Sequence, residues 1–353
     1  MARPDPAVLC FPGAVCSVGT NLAEIASATN AGIRRLASDK RLCFKASGVP
    51  VPLGRVEPID QVASSVERMF HLARHAMQQS VEARAASLGL PPDNSLESIP
   101  ILLSVPAARP SLPDEAIDGL VASLLGAAGP FDKTHSGAVR VGHDGFAAVL
   151  GVALNLLDQG TVSCCLVGAV DSGIDSAYVH WLEDTGRLRS RQQPHGVAPG
   201  EAAGFFFLTN QSELGDLGAG EIEVVSVARN QEPNPWYLGK ATMGEGLTFA
   251  VRQAIAGESV DVCYADLNGE SWRSAEWDFA YLRNGKHFAH PLDIRHPSEA
   301  WGDIGAASGA LLTLLAAWDL SEGMLDHRSA LVCTSSDTQP SRAACRITLI
   351  ESV

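Results

Sequence analysis

The sequence predicts a layered α/β fold, and three observations carry that prediction. Short β-branched runs alternate with longer Ala/Leu/Gly-rich runs along the chain. Two of the helical runs, Phe146 to Leu157 (FAAVLGVALNLL) and Gly305 to Ala317 (GAASGALLTLLAA), are apolar nearly all round. A helix without a polar face is buried on every side, so both are expected between two sheets. Finally, Gly142-His143-Asp144-Gly145, its helix and the strand Cys164 to Val167 resemble Gly302-Asp303-Ile304-Gly305, its helix and the strand Ala330 to Cys333. A separation of about 160 residues is too long for a solenoid repeat and suits a duplicated half-domain.

The elements follow from composition in chain order. AVLCF makes a strand of Ala7 to Phe11, and helices are expected over Thr20 to Ala31 and Ser64 to Leu88. A strand over Ile99 to Ser104 precedes a helix over Asp114 to Leu125. The first all-apolar helix, His143 to Leu157, leads to strands Val162 to Val167 and Gly204 to Leu208. Beyond them come strand Ile222 to Ala228, helix Glu245 to Ile255 and strand Val260 to Leu267. The second apolar helix, Gly305 to Ala317, is followed by strands Ser329 to Thr334 and Arg346 to Ile350. The polar, turn-rich stretch QSELGDLGAG near Asn210 to Gly220 divides the chain into an N-terminal half, 1–210, and a C-terminal half, 221–353. Residues 171–200, with GRLRSRQQPHGVAPG, are expected as a loop insertion in the first half, a solvated loop bearing Arg187, Arg189 and Arg191.

Composition narrows the function. Among 353 residues, 40 Asp and Glu against 26 Lys and Arg give a net charge of −14, which argues against a broad nucleic-acid or anionic-membrane surface. No apolar run is long enough to span a bilayer, and MARPDPAVLC lacks a signal-peptide layout. The eight cysteines are scattered without a C-x-x-C pair, so a reducing cytoplasm is the simplest setting. Cys164 and Cys165 lie in a strand where packing is the stronger reading. No phosphate-binding glycine loop, dinucleotide fingerprint or H-E-x-x-H motif is present, and no cofactor or metal is expected. His135, His180, His195, His287, His290, His296 and His327 sit at no ligand spacing.

Several landmarks then fall in a recognisable order. AVLCFPGAVCSVGTNLAEIASATNAGI, LVGAVDSGID, APGEAAGFFFL, VDVCYADLNGESW, GDIGAASGALLTLLA and SALVCTSSDTQPSRAACRITL are similar, in sequence order, to the segments that mark β-ketoacyl synthases. The match spans nearly the whole chain, and the sequence resembles the thiolase-like superfamily, nearest those synthases. The resemblance implies a five-layered α-β-α-β-α fold of two duplicated halves, and usually a homodimer. It implies too that Glu201 in APGEAAG is a turn or backbone-binding carboxylate. The family's chemistry rests on a cysteine thiolate at a helix N-terminus and two histidines. A helix N-terminus lowers a thiol pKa, and the histidines polarise the thioester carbonyl.

At each of these positions the chain departs from the pattern. The nucleophile position falls on His143, and no cysteine occurs in Val141 to Gly160. The first histidine position is Asn268 and the second is Asp303. The closing loop, where the family carries a gating phenylalanine, reads Ser335-Ser336-Asp337-Thr338-Gln339. Histidine cannot form the family's acyl-thioester intermediate, and an ionised Asp303 only accepts hydrogen bonds. Each residue also has an ordinary role: Asp303 as a helix cap, His143 as a satisfied core histidine, Asn268 before Gly269 as a turn residue. A neutral imidazole is the form expected at the helix N-terminus, because the dipole disfavours the cation.

Two functions remain open. One is a catalytically degenerate β-ketoacyl synthase-like protein that works by binding a protein partner. That partner is an effector, a carrier protein or a synthase subunit. The chain is then an adaptor or co-chaperone for a type VI secreted effector, or a non-catalytic synthase subunit. The other is an acyl-thioester-processing enzyme, an acyltransferase, synthase or hydrolase, using His143 as a general base with Asn268 and Asp303. An enzyme needs an open channel to His143, whereas a binding protein can fill it. The candidate fillers are Phe146, Trp236, Trp272, Trp277 and Trp301.

Overall fold

The computed structural model describes residues 5–59, 64–91, 96–210, 221–323 and 326–350. The expected boundary at 211–220 lies outside the described residues. The first half runs β1 (Ala7–Cys16), α1 (Leu22–Asn30), a hairpin of β2 (Ala37–Cys43) and β3 (Pro50–Leu53), α2 (Ser65–Leu88), β4 (Ile101–Val105) and α3 (Asp114–Ala127). It continues with β5 (Gly137–Arg140), α4 (Gly145–Asp158), β6 (Cys164–Ser172), α5 (Ser176–Asp184) and β7 (Glu201–Asn210). The second half runs β8 (Ile222–Gln231), α6 (Glu245–Ile255), β9 (Val260–Ala265), α7 (Ser271–Asn284) and β10 (Phe288–Arg295). It ends with α8 (Ser298–Trp301), α9 (Ser308–Ser321), β11 (Ser329–Ser335) and β12 (Ser341–Leu349).

Strand order makes the duplication explicit. The halves are arranged β5-β4-β6-β7-β1 and β8-β12-β11-β9-β10, in one ten-stranded sheet. Counted outward from the join, each half has two antiparallel pairings followed by two parallel ones. β1 and β8 pair only at Val8↔Glu223 and Leu9↔Ile222. The two expected sheets are therefore two five-stranded halves joined by a short bridge.

Side-chain alternation along β7 shows how the layers are filled. Phe205 and Phe207 point into the cluster with α2 and α3, whereas Phe206 points the other way, onto Phe146 of α4 at 5.7 Å between ring centroids. Helices α4 and α9 touch strands of both halves and fill the middle layer, and α6 and α7 cover the outer face of the second half. The result is a five-layered α-β-α-β-α fold of two duplicated halves. The apolar surface of α9 is thereby explained, since neighbours surround it. Gly309 permits the close approach, because a Cβ there would lie 2.9 Å from the Cβ of Phe146.

At the ends of the strands facing the site, backbones are clamped. Glu201 binds backbone, as the resemblance implied: it accepts from Val56 N–H at 2.8 Å and Ser172 Oγ at 2.8 Å, and pairs with the buried Arg68. Gly54 N–H donates to Pro199 O at 2.8 Å, and a Cβ on Gly54 would fall 1.7 Å from the carbonyl oxygen of Trp301. Gly54→Ala is thus expected to lower stability by about 1–3 kcal/mol through overpacking. A urea midpoint equal to that of the parent would show that this contact tolerates a methyl group.

Residues 171–200 differ from a solvated loop. They contain α5, and Val197 to Gly200 are buried, with Pro199 bridging Asp303 and Gly200 bridging Gly54. Arg187 is buried, whereas Arg189 and Arg191 are exposed. No helix among the described residues is long and apolar enough to cross a membrane.

Candidate functional site

His143 is carried on a single 3-10 turn, Gly142–Asp144, that opens α4, with Gly142 at φ 76° making the bend. Asp303 follows α8 through Gly302, whose φ of 86° lets the chain pass under Ala198; a Cβ there would meet the Ala198 oxygen at 2.7 Å. Its own backbone is fixed by Asp303 N–H to Ala198 O and by Gly200 N–H to Asp303 O, both 2.7 Å. Asn268 leaves the end of β9, and Asp337 sits in the turn joining β11 to β12.

These elements bring the three expected residues together. His143 Nε2 lies 2.7 Å from Asp303 Oδ1, and Asn268 Nδ2 donates to Asp303 Oδ2 at 2.7 Å. Asp303 Oδ1 also accepts from Gly305 N–H at 2.9 Å. Ile304, not Asp303, is the N-cap of the 3-10 turn Gly305–Ala307 that precedes α9; Asp303 holds the turn's first N–H from one residue further back and binds His143 with the same oxygen. On the other side of the ring, Asp337 Oδ1 lies 3.4 Å from Nδ1, close enough for an ion pair but outside hydrogen-bond geometry.

A wider ionic network closes around this centre. Arg187 pairs with Glu270 at 2.7 Å and with Asp337 at 3.0 Å. Arg273 pairs with Asp266 at 2.6 Å and lies 3.5 Å from Glu270, whose other contact is Asn268 Nδ2 at 3.2 Å. The charged side chains of this network are buried, and Asn268 is half-buried. Burial and the charge of Arg273 disfavour the imidazolium, but the charge of Asp303, its hydrogen bond and Asp337 outweigh them and carry the His143 pKa up to about 10. Burial pushes against Asp303 and Asp337 as well, yet the His143 cation holds both carboxyls below their ordinary range. Asp266 goes the other way: burial raises its pKa in spite of Arg273.

The neutral imidazole expected at the helix N-terminus is therefore replaced by a cation. Two carboxylates at contact distance outweigh the dipole of the helix end. An imidazolium has no lone pair with which to take a proton or attack a carbonyl.

The space in front of His143 is a cavity of about 30 Å³, bounded among others by Ala107, Arg109, Tyr178 and Trp181. That is room for about one water, far below the few hundred Å³ of a small-molecule site. A void of about 10 Å³ lies beside Asp303, Asn268 and Trp301. Aromatic rings and guanidinium groups fill the surroundings. Arg187 lies 5.4 Å from the Trp181 ring and 4.8 Å from Trp236, and Trp236 stacks on Trp272 at 6.2 Å. Arg273 sits 4.4 Å from the Trp272 ring, and Trp236 Nε1 donates to Asp337 O at 3.0 Å.

Of the expected fillers, Trp236 and Trp272 cover the network and Trp301 is buried beside Asp303. Phe146 packs deeper on Phe206, and Trp277 belongs to the outer layer with Tyr281 and Phe288. Cys165 lies in the central core, where burial pushes its thiol up to about 12, so it is a packing residue rather than a nucleophile.

Sequence reasoning missed Asp337, Glu270, Arg273 and Asp266 as members of this cluster. The Arg187 anomaly was visible as a basic cluster in an acidic chain, and Asp337 stands in the loop already noted for lacking a phenylalanine. Glu270 and Arg273 carry no pattern of their own.

No family model and no curated protein matches the sequence. Solved structures do match the fold along its length. The AntDE:AntF type II ketosynthase in complex with its acyl-carrier protein superposes with a TM-score of 0.76 at 14% identity, covering 99% of this chain and all of that one. The ishigamide ketosynthase/chain length factor gives 0.73 at 17% identity, over 99% of this chain and all of that one. The ketosynthase from module 6 of the bacillaene synthase of Bacillus subtilis 168 gives 0.71 at 12% identity, over 98% of this chain and 72% of that one. The chain has the thiolase-like fold of the ketosynthases.

Proposed function

We propose that the chain is a non-catalytic ketosynthase-like subunit that works by binding a ketosynthase or an acyl-carrier protein. One observation supports it above the others: His143, which the resemblance sets at the nucleophile position, is a buried imidazolium between two carboxylates, facing a cavity of about 30 Å³. Such a centre lacks a nucleophile, and the space at His143 has no room for an acyl group. A large fold without its chemistry is left with its surface as the working part. Solved structures of the same fold include a ketosynthase with its carrier protein and a ketosynthase/chain length factor, which favours a companion subunit over the effector-adaptor setting.

The test has two arms. Incubation with malonyl and acyl thioesters is expected to give no carbon dioxide and no mass increment on the intact chain. Purification from the native host is expected to bring down a ketosynthase or carrier protein in stoichiometric amount. An acyl adduct between Val141 and Gly160 overturns the non-catalytic reading. Recovery of the chain alone overturns the binding one.

A further inference from the structure

Two adjoining clefts, of about 310 Å³ and 420 Å³, meet at Arg34, His296 and Glu299. Their charge runs against that of the molecule. Acidic residues outnumber basic ones 40 to 26 in the chain, yet Glu299 is the one carboxylate among the described residues lining either cleft. The cations are Arg34 and Arg189 in the smaller cleft, which His195 and His296 also line, with Arg295 added in the larger.

Not all of these charges are used internally. Arg34 donates to Glu299 at 2.6 Å, and His296 Nδ1 lies 3.5 Å from the same carboxylate. Arg295 is held by Asp293 and Asp319. Arg189 and His195 have no ion pair among the described residues, and both are exposed on the rim of the smaller cleft. The Thr29 hydroxyl in the wall of the larger cleft is shielded from water and has no partner.

We propose that the smaller cleft binds a phosphate group of a small molecule, a phosphate ester or diphosphate. Its basic side chains come from three separate segments, at 34, at 189 to 195 and at 296, with Arg34 and Arg189 carrying the charge. That arrangement suits a tetrahedral dianion, and guanidinium forks are the preferred donors to phosphate oxygens. The volume is that of a small-molecule site. Concentrated positive potential in an acidic protein also draws an anion to this cleft before others. Ser274 at the rim adds a hydroxyl donor.

Isothermal titration with inorganic pyrophosphate at low ionic strength tests it on three proteins: the parent, Arg189→Glu and Arg191→Glu. Arg191 is the control, being exposed, two residues away and outside the cleft lining. The parent is expected to bind saturably at one site, Arg189→Glu at least tenfold more weakly, and Arg191→Glu within twofold of the parent. Thermal melts of the apo proteins should be superimposable, since neither arginine is buried. Equal weakening by both variants would reduce the effect to net charge and overturn the site, as would the absence of saturable binding to the parent at millimolar pyrophosphate.

Discussion

Asp303→Ala is expected to lower the unfolding free energy by about 3–5 kcal/mol, the cost of leaving a buried charge without its partner. The carboxylate is the acceptor for three donors at once: His143 Nε2 and Asn268 Nδ2 at 2.7 Å and Gly305 N–H at 2.9 Å. Alanine orphans the His143 and Gly305 donors in a buried layer and leaves Asn268 Nδ2 with only Glu270, at 3.2 Å. The His143 cation would keep only Asp337, at 3.4 Å and without a hydrogen bond. Asp303→Asn retains an oxygen for the imidazolium but turns an N–H toward Asn268, so a loss intermediate between the parent and Asp303→Ala is expected. Equilibrium denaturation in urea measures both variants. A change below about 1 kcal/mol for Asp303→Ala, together with loss of a turnover present in the parent, would mean that the residue serves chemistry and not structure.

How much of this was legible in the sequence depends on the kind of signal. The all-apolar helices α4 and α9 and the segments repeated around them carry their burial and duplication openly, because a buried helix needs no polar face. Helix Glu245–Ile255 was read at its observed limits, its apolar positions being periodic. Strand β10 was missed: its sequence FAHPLDIR contains a proline, and an edge strand that is half exposed shows no clean alternation. Helix α7 was missed because SWRSAEWDFAYLRN buries Arg273 and Glu276, which hide its inner face from any hydrophobic count. The same masking concealed the site. His143, Asn268 and Asp303 were found from their places in segments that resemble a known order. Their ionic surroundings come from three places in the chain: Arg187, the segment Asp266 to Arg273, and Asp337. Pairing of buried charges across 83 residues, as in Arg187 with Glu270, or 150, as in Arg187 with Asp337, leaves no local pattern, and neither does the protonation state that it enforces.

That protonation state has a consequence for stability as a function of pH. His143 has a folded pKa of about 10 against 6.5 for the free side chain. Its contribution is fully present below about pH 6.5 and is lost as pH rises through 10. Across that window the parent should lose up to about 1.4 kcal/mol per pH unit relative to His143→Gln, which cannot bind the proton. The carboxyls act at the other end. Asp303 and Asp337 are held low in the folded state, so their contribution is present above the ordinary carboxylate range and disappears as pH falls below it. Asp266, raised by burial, has the opposite sign and makes the acid limb shallower. Urea midpoints from pH 5 to 10 for the parent and His143→Gln isolate the histidine, and parallel curves would remove the cation from this account. The sign bears on function as well. A nitrogen able to act as a base appears only when the proton leaves Nδ1, and its leaving gives up the charge attraction to Asp303 and Asp337 even though Nε2–H can stay hydrogen-bonded to Asp303. The conditions that would make this histidine reactive are those in which the structure holding it is weakest.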